Sequence, residues 1–127
     1  MTHGQEIVLV VDDDLAVRES LKFALELEGL TVRVCGSGEE LLNHPDLPAA
    51  RCILLDYKMP VMDGLEVLEQ LAARKTPVPV ILITSRATNA ILRRAKAAGV
   101  RRILEKPLLD GALLDNIQAV LGGADPL

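Results

Sequence analysis

The sequence predicts an α/β protein of doubly wound, three-layer architecture built on a five-stranded parallel sheet. Three observations carry this expectation. Five short runs of Val, Ile and Leu alternate with five segments of helical period along the chain. Most of the runs are nearly continuous in apolar residues, as strands covered on both faces are. The chain is 127 residues long, with 50% hydrophobic and 25% charged residues, which fits one domain and leaves no room for two. Right-handed strand–helix–strand crossovers then spread the helices over both faces of the sheet.

Taken in order, Ile7 to Val11 is an apolar run that ends abruptly in acid. From Leu15 to Glu28 the period becomes helical, with Val17, Leu21, Ala24 and Leu25 on one face and Gly29 as the stop. Thr31 to Cys35 alternates as a strand does, and Gly38 to His44 reads as a short helix halted before Pro45. Cys52 to Leu55 is a buried strand ending at Asp56; Leu65 to Arg74 is a helix with Leu68, Leu71 and Ala72 inward. Val78 to Ile83 is the most apolar strand and runs into Thr84 and Ser85. Ala90 to Ala98 is a helix closed by Gly99, Val100 to Glu105 a last short strand, and Leu109 to Leu121 a last helix. A single domain over residues 1–127 is expected, with its core from about residue 6 to 121. Residues 122–127 read as a tail or the start of a removed linker.

Composition excludes several classes. Phe23 and Tyr57 are the only aromatic residues, so the core must be aliphatic and no platform exists for stacking single-stranded nucleic acid. A net charge of -4 argues against binding a phosphate backbone over the whole surface. No apolar run approaches the roughly 20 residues of a membrane span, and Met1 to Glu6 lack the pattern of a secretory leader. Cys35 and Cys52 imply neither a disulfide framework nor a four-ligand zinc site and read as reduced thiols, giving a cytoplasmic expectation.

In an open parallel sheet, ligands bind beyond the carboxyl ends of the strands. Those ends carry a short inventory: Asp12, Asp13 and Asp14 after the first, Asp56 at the third, Thr84 and Ser85 at the fourth, Lys106 and Pro107 after the fifth. Asp14 is placed to cap the first helix. Carboxylates gathered at one edge repel one another unless something neutralises them. Oxygen ligands with room for water suit Mg²⁺ (or Mn²⁺) better than zinc or copper, and no Cys or His lies at these ends; His3 and His44 are isolated. A carboxylate beside such a metal is itself a nucleophile toward phosphorus and gives an acyl phosphate without a general base. The Thr84 hydroxyl and Lys106 ammonium are then suited to bind phosphoryl oxygens.

These residues resemble the receiver domains of two-component response regulators, over the stretch from Ile7 to about Leu121. The resemblance rests on four motifs in order: Ile7-Val8-Leu9-Val10-Val11-Asp12-Asp13-Asp14; Leu54-Leu55-Asp56-Tyr57-Lys58-Met59-Pro60 with Met62-Asp63-Gly64; Ile83-Thr84-Ser85; and Glu105-Lys106-Pro107. The wording is most similar to the FixJ-type regulators. The resemblance implies a flavodoxin-like (βα)5 fold with strand order 2-1-3-4-5. It implies Asp56 as phospho-acceptor, with Asp12, Asp13, Asp56 and the Lys58 backbone carbonyl around Mg²⁺. Thr84 takes the place of the switch hydroxyl, Lys106 that of the phosphoryl-binding lysine, and the Lys106–Pro107 peptide is expected to be cis. Pro60 and Gly64 match the loop after the acceptor, although Gly64 also reads simply as a turn residue. The implied function is a phosphorylation-dependent signalling receiver rather than an enzyme, served by a sensor histidine kinase or phosphotransfer protein and acting on an output absent from this chain.

The pattern departs from the family where an aromatic residue usually precedes the lysine by three positions: here stands Ile103, and Leu108 follows the proline. Arg93, Arg94, Lys96, Arg101 and Arg102 form a basic cluster on the fourth helix and fifth strand. It reads either as a solvated face or as a charge-matched protein surface, the latter permitting a phosphorylation-dependent homodimer; direct nucleic-acid binding is not expected from five charges without a helix-turn-helix. Three rival readings are weaker. A haloacid-dehalogenase-type phosphatase needs a longer chain and a late acidic pair, a pure adaptor has no need of the acceptor, acids and lysine together, and a dinucleotide-binding domain lacks G-x-G-x-x-G after a strand.

Overall fold

Strand register is what brings the acidic residues together. The computed structural model describes residues 6–108 and 111–122. Its strands are β1 (Ile7–Val11), β2 (Thr31–Cys35), β3 (Cys52–Asp56), β4 (Val80–Thr84) and β5 (Arg102–Glu105), all parallel, in the order β2-β1-β3-β4-β5. Val11 lies level with Leu55 and Asp56 with Ile83, so the chain leaves β1, β3 and β4 at one edge. The winding reverses between β1 and β3, which are hydrogen-bonded neighbours, and a crevice opens there.

The strands alternate their side chains between two cores. Leu9, Val11, Ile53, Leu55, Val80 and Leu82 pack on the side covered by α2 (Gly38–Leu42), α3 (Gly64–Ala73) and α4 (Asn89–Ala97). Val8, Val10, Val32, Leu54, Ile81 and Ile83 face α1 (Leu15–Leu27) and α5 (Ala112–Leu121). Covered from both sides, β3 and β4 are buried at every residue.

Several boundaries and faces differ from the sequence expectation. Of the α1 residues assigned inward, only Leu25 is fully buried; Ala24 is exposed and Val17 turns to the crevice. Ala72 on α3 is likewise exposed, while Leu68 and Leu71 are buried. β4 starts at Val80 because Pro77 and Pro79 cannot donate to a ladder; Pro79 instead accepts from the Ile53 N–H at 2.9 Å. β5 starts at Arg102 because Val100 is still closing α4, its N–H bonded to the Ala95 carbonyl across Gly99 at φ +86°. α2 stops at Leu42, and a 3-10 turn at Leu47–Ala49 occupies what read as plain loop. The expected start of the last helix, Leu109, lies outside the described residues, as do His3, Asp110 and residues 123–127.

Both cysteines are free and buried, Cys35 at the end of the edge strand β2 and Cys52 at the start of β3. Burial pushes each thiol up to about 12. Phe23 is 68% exposed, leaving the core aliphatic as the composition implied. Among the described residues no helix is long and apolar enough to cross a membrane.

Candidate functional site

The acidic residues converge. Carboxylate oxygens of Asp12, Asp13 and Asp56 lie within 4.8 Å of one another, with Asp12 and Asp56 buried and Asp13 exposed. Asp12 is fixed from several directions at once. Its N–H donates to the Cys35 carbonyl (3.1 Å), its Oδ1 accepts from the Asp14 N–H (2.8 Å), and its carbonyl accepts from Arg18 Nη1 (2.8 Å). Asp14 caps α1, its Oδ1 accepting from the N–H groups of Ala16 (2.9 Å) and Val17 (3.2 Å). Arg18 escaped the sequence reading. Its only signal was its place one turn after the cap, from which a long side chain reaches back over the strand end.

On the other side of the crevice, Lys106 Nζ sits 3.0 Å from Asp56 Oδ1. Burial pushes the Asp56 carboxyl above the ordinary carboxylate range, and the charges of Asp12 and Asp13 push the same way; the Lys106 hydrogen bond and charge offset part of this. Thr84 is buried, with Oγ1 3.3 Å from both the N–H and the carbonyl oxygen of Arg86. The Lys106–Pro107 peptide is cis, as expected. Asp12, Asp13, Asp56, Lys58, Pro60, Thr84 and Lys106 line one cleft of about 580 Å³, so all four motifs meet.

The connection from Asp56 to α3 is held tightly against the end of β3. Gly64 donates its N–H to the Tyr57 carbonyl at 2.7 Å. A β-carbon on Gly64 would lie 2.6 Å from the Asp56 carbonyl oxygen and 2.8 Å from Tyr57 Cα, so only glycine seats α3 here. The Met62 N–H reaches the Pro60 carbonyl (2.7 Å), forcing Val61 to φ +69°, a strained conformation for a β-branched residue. Asp63 and Glu66 form a reciprocal capping box that starts α3.

The remaining predicted residues lie away from the cleft. Ile103 packs against the core on the α4 side and Leu108 against the opposite one. Arg94 forms a two-point contact with Glu69 of α3 (3.1 and 2.8 Å), bracing the two helices, while Arg93 and Lys96 are exposed and Arg101 and Arg102 half-buried. Glu105, which ends β5 beside the basic cluster, accepts a hydrogen bond from the Ala87 N–H at 3.0 Å.

The raised Asp56 carboxyl has a consequence for stability. Between the ordinary carboxylate range and its raised value, the folded protein holds a proton the unfolded chain has released. Stability contributed by this group therefore falls as pH rises through that window, and the cost persists above it. Without divalent cations, Asp56→Asn is expected to melt higher than wild type at pH 7 and to lose that advantage at pH 3. Thermal melts at the two pH values check this; equal melting temperatures at pH 7 contradict it.

Comparison with known proteins agrees with this geometry. Residues 8–118 match the family model described as the response regulator receiver domain. The transcriptional regulatory protein FixJ of Azorhizobium caulinodans is 40% identical over 116 residues, which are 91% of this chain and 54% of that protein. FixJ of Bradyrhizobium diazoefficiens is 30% identical over 119 residues, 94% of this chain and 58% of that protein. The chain thus spans little more than half the length of these relatives. The crystal structure of FixJ-N superposes with a TM-score of 0.82 at 31% identity, covering 98% of this chain and 100% of that one. The chain belongs to the receiver domains of two-component response regulators and is FixJ-like.

Proposed function

We propose that this chain is a phosphorylation-controlled signalling module whose acceptor is Asp56, charged by a sensor histidine kinase or phosphotransfer protein. The observation that carries the reading is the Lys106–Asp56 ion pair (3.0 Å) inside a cleft that also holds Asp12 and Asp13. In the transfer, an Asp56 oxygen bonds to phosphorus as the P–N bond to the donor histidine breaks, and the imidazole nitrogen leaves with the electron pair. The acceptor must be ionised to attack; Lys106 favours that form against the burial that opposes it. Once the phosphoryl group is on Asp56, the Lys106 ammonium and the Thr84 hydroxyl, which line the same cleft, donate to its oxygens.

The donor set fits a hard divalent cation. Three carboxylates supply oxygen and Asp13 is open to water, a combination suited to an octahedral Mg²⁺ (or Mn²⁺) that keeps part of its hydration shell. Asp12, Asp13, Asp56 and the Lys58 carbonyl would hold it. Bound there, the cation supplies the positive charge that lets three carboxylates and a phosphoryl group share one edge.

The module is read as one domain with a core from about residue 6 to 121, acting in the cytoplasm, where two buried thiols stay reduced. Its output, a further domain or a separate partner, is controlled through the face of α4 and β5. On that face Arg93, Lys96 and Arg102 meet acidic Glu105 and Asp115 of a second copy across a two-fold axis. Exposed pairs contribute little each, so the dimer is weak and salt-sensitive.

Three measurements test the proposal. After incubation with acetyl phosphate and Mg²⁺, mass spectrometry is expected to find one added phosphoryl group on wild type and none on Asp56→Asn; an unmodified wild type refutes the acceptor assignment. Mg²⁺ is expected to raise the melting temperature of wild type and to do so far less for Asp13→Asn, since a ligand of the native state alone stabilises it; a wild type indifferent to Mg²⁺ refutes the metal site. Sedimentation is expected to show a larger mass for the phosphorylated chain at low salt, and identical masses refute the dimer.

A further inference from the structure

The end of β5 presents two consecutive side chains to two different parts of the site. Lys106 reaches Asp56, and Glu105 reaches the connection between β4 and α4, where Oε2 accepts from the Ala87 N–H at 3.0 Å. β4 and β5 are in register at this point, Thr84 opposite Glu105, and the Lys106 N–H donates to the Thr84 carbonyl at 2.8 Å. The two strand ends therefore move as one piece.

The connection itself is lightly held. The Thr84 hydroxyl contacts the Arg86 N–H and carbonyl at 3.3 Å each, at the long end of hydrogen-bond distances. The Thr88 N–H reaches the Arg86 carbonyl at 3.2 Å, and Thr88 is already committed to capping α4, accepting from the Ile91 N–H. Glu105 thus makes the shortest side-chain tie to the connection.

For Thr84 to donate to a phosphoryl oxygen on Asp56, its hydroxyl must leave Arg86. The connection then loses one of its weak ties, and the next donor along it is the Ala87 N–H that Glu105 holds. We propose that Glu105 is a positioning residue: its hydrogen bond to Ala87 holds the β4–α4 connection, and with it the Thr84 hydroxyl, in the resting arrangement, and sets how readily the site passes to the phosphoryl-bound one. This rests on Asp56 being the acceptor. It also supplies a route from the cleft to α4 that needs no aromatic side chain at position 103, where an isoleucine packs into the core.

Two variants of the 127-residue chain separate the hydrogen bond from the charge. Glu105 is exposed, so neither substitution disturbs the core. Glu105→Ala removes both, whereas Glu105→Gln keeps an oxygen that accepts from Ala87 and removes the charge. The first readout, taken without ligand, is amide exchange at Ala87: about five- to tenfold faster in Glu105→Ala, the loss expected for one hydrogen bond, and near wild type in Glu105→Gln. The second, at a salt concentration that keeps the chain monomeric, is the affinity for beryllofluoride with Mg²⁺, a phosphoryl mimic: tighter by a similar factor in Glu105→Ala, because the resting state is weakened, and near wild type in Glu105→Gln. Equal exchange and equal affinity in wild type and Glu105→Ala overturn the proposal. So does a Glu105→Gln variant that shifts as far as Glu105→Ala, which would assign the effect to charge. A wild type that binds no beryllofluoride refutes the acceptor reading instead, and the exchange measurement still decides the role of Glu105.

Discussion

Two buried carboxylates and a third at the rim share one end of the sheet with the Lys106 ammonium in direct contact, and the local structure is arranged around that crowding. The parallel register makes it unavoidable. Asp12 follows Val11, which is level with Leu55, so Asp56 comes next on the neighbouring strand. Like charges at this range disfavour ionisation, and burial adds to the effect. The surrounding structure compensates by holding the loops in place: Arg18 and Cys35 clamp Asp12 from two sides, Gly64 brings α3 into contact with β3, and the strained Val61 completes the turn between them. Stability is given up at this edge to keep three carboxylates together.

Much of this was legible in the sequence. The strands β1, β3 and β4 announced themselves because burial on both faces permits little but Val, Ile and Leu. The site residues were legible because carboxylates, a hydroxyl and a lysine at strand ends have few structural reasons to be there. What stayed hidden was decided by tertiary contacts. Ala24 and Ala72 are small enough to stand on either face of a helix, so periodicity alone misplaced them. The start of β4 turned on which carbonyl accepts from Ile53, and that of β5 on how α4 closes. Arg18 and Glu105 act on main-chain atoms, the Asp12 carbonyl and the Ala87 N–H, and a backbone group leaves no mark in sequence for its partner to be recognised by.

The face formed by α4 and β5 is less uniform than its five cations suggest. Arg94 is engaged by Glu69 in a two-point contact between α4 and α3, exposed on both sides and so a weak tie. The other end of α4 is tethered through the β4–α4 connection. Ile103, which is β-branched and packs against the core on that side, has few rotamers.

The two thiols turn the sheet into its own reporter. A thiol held near 12 and buried does not react while its strand is in place, so alkylation proceeds only through openings of the structure. Cys35 ends β2, an edge strand with one neighbour, whereas Cys52 begins β3, flanked by β1 and β4. The first cysteine therefore registers peeling of the edge beside Asp12, and the second registers loss of the whole sheet. The ratio of their labelling rates measures how far the acidic corner breathes apart from the body that carries it.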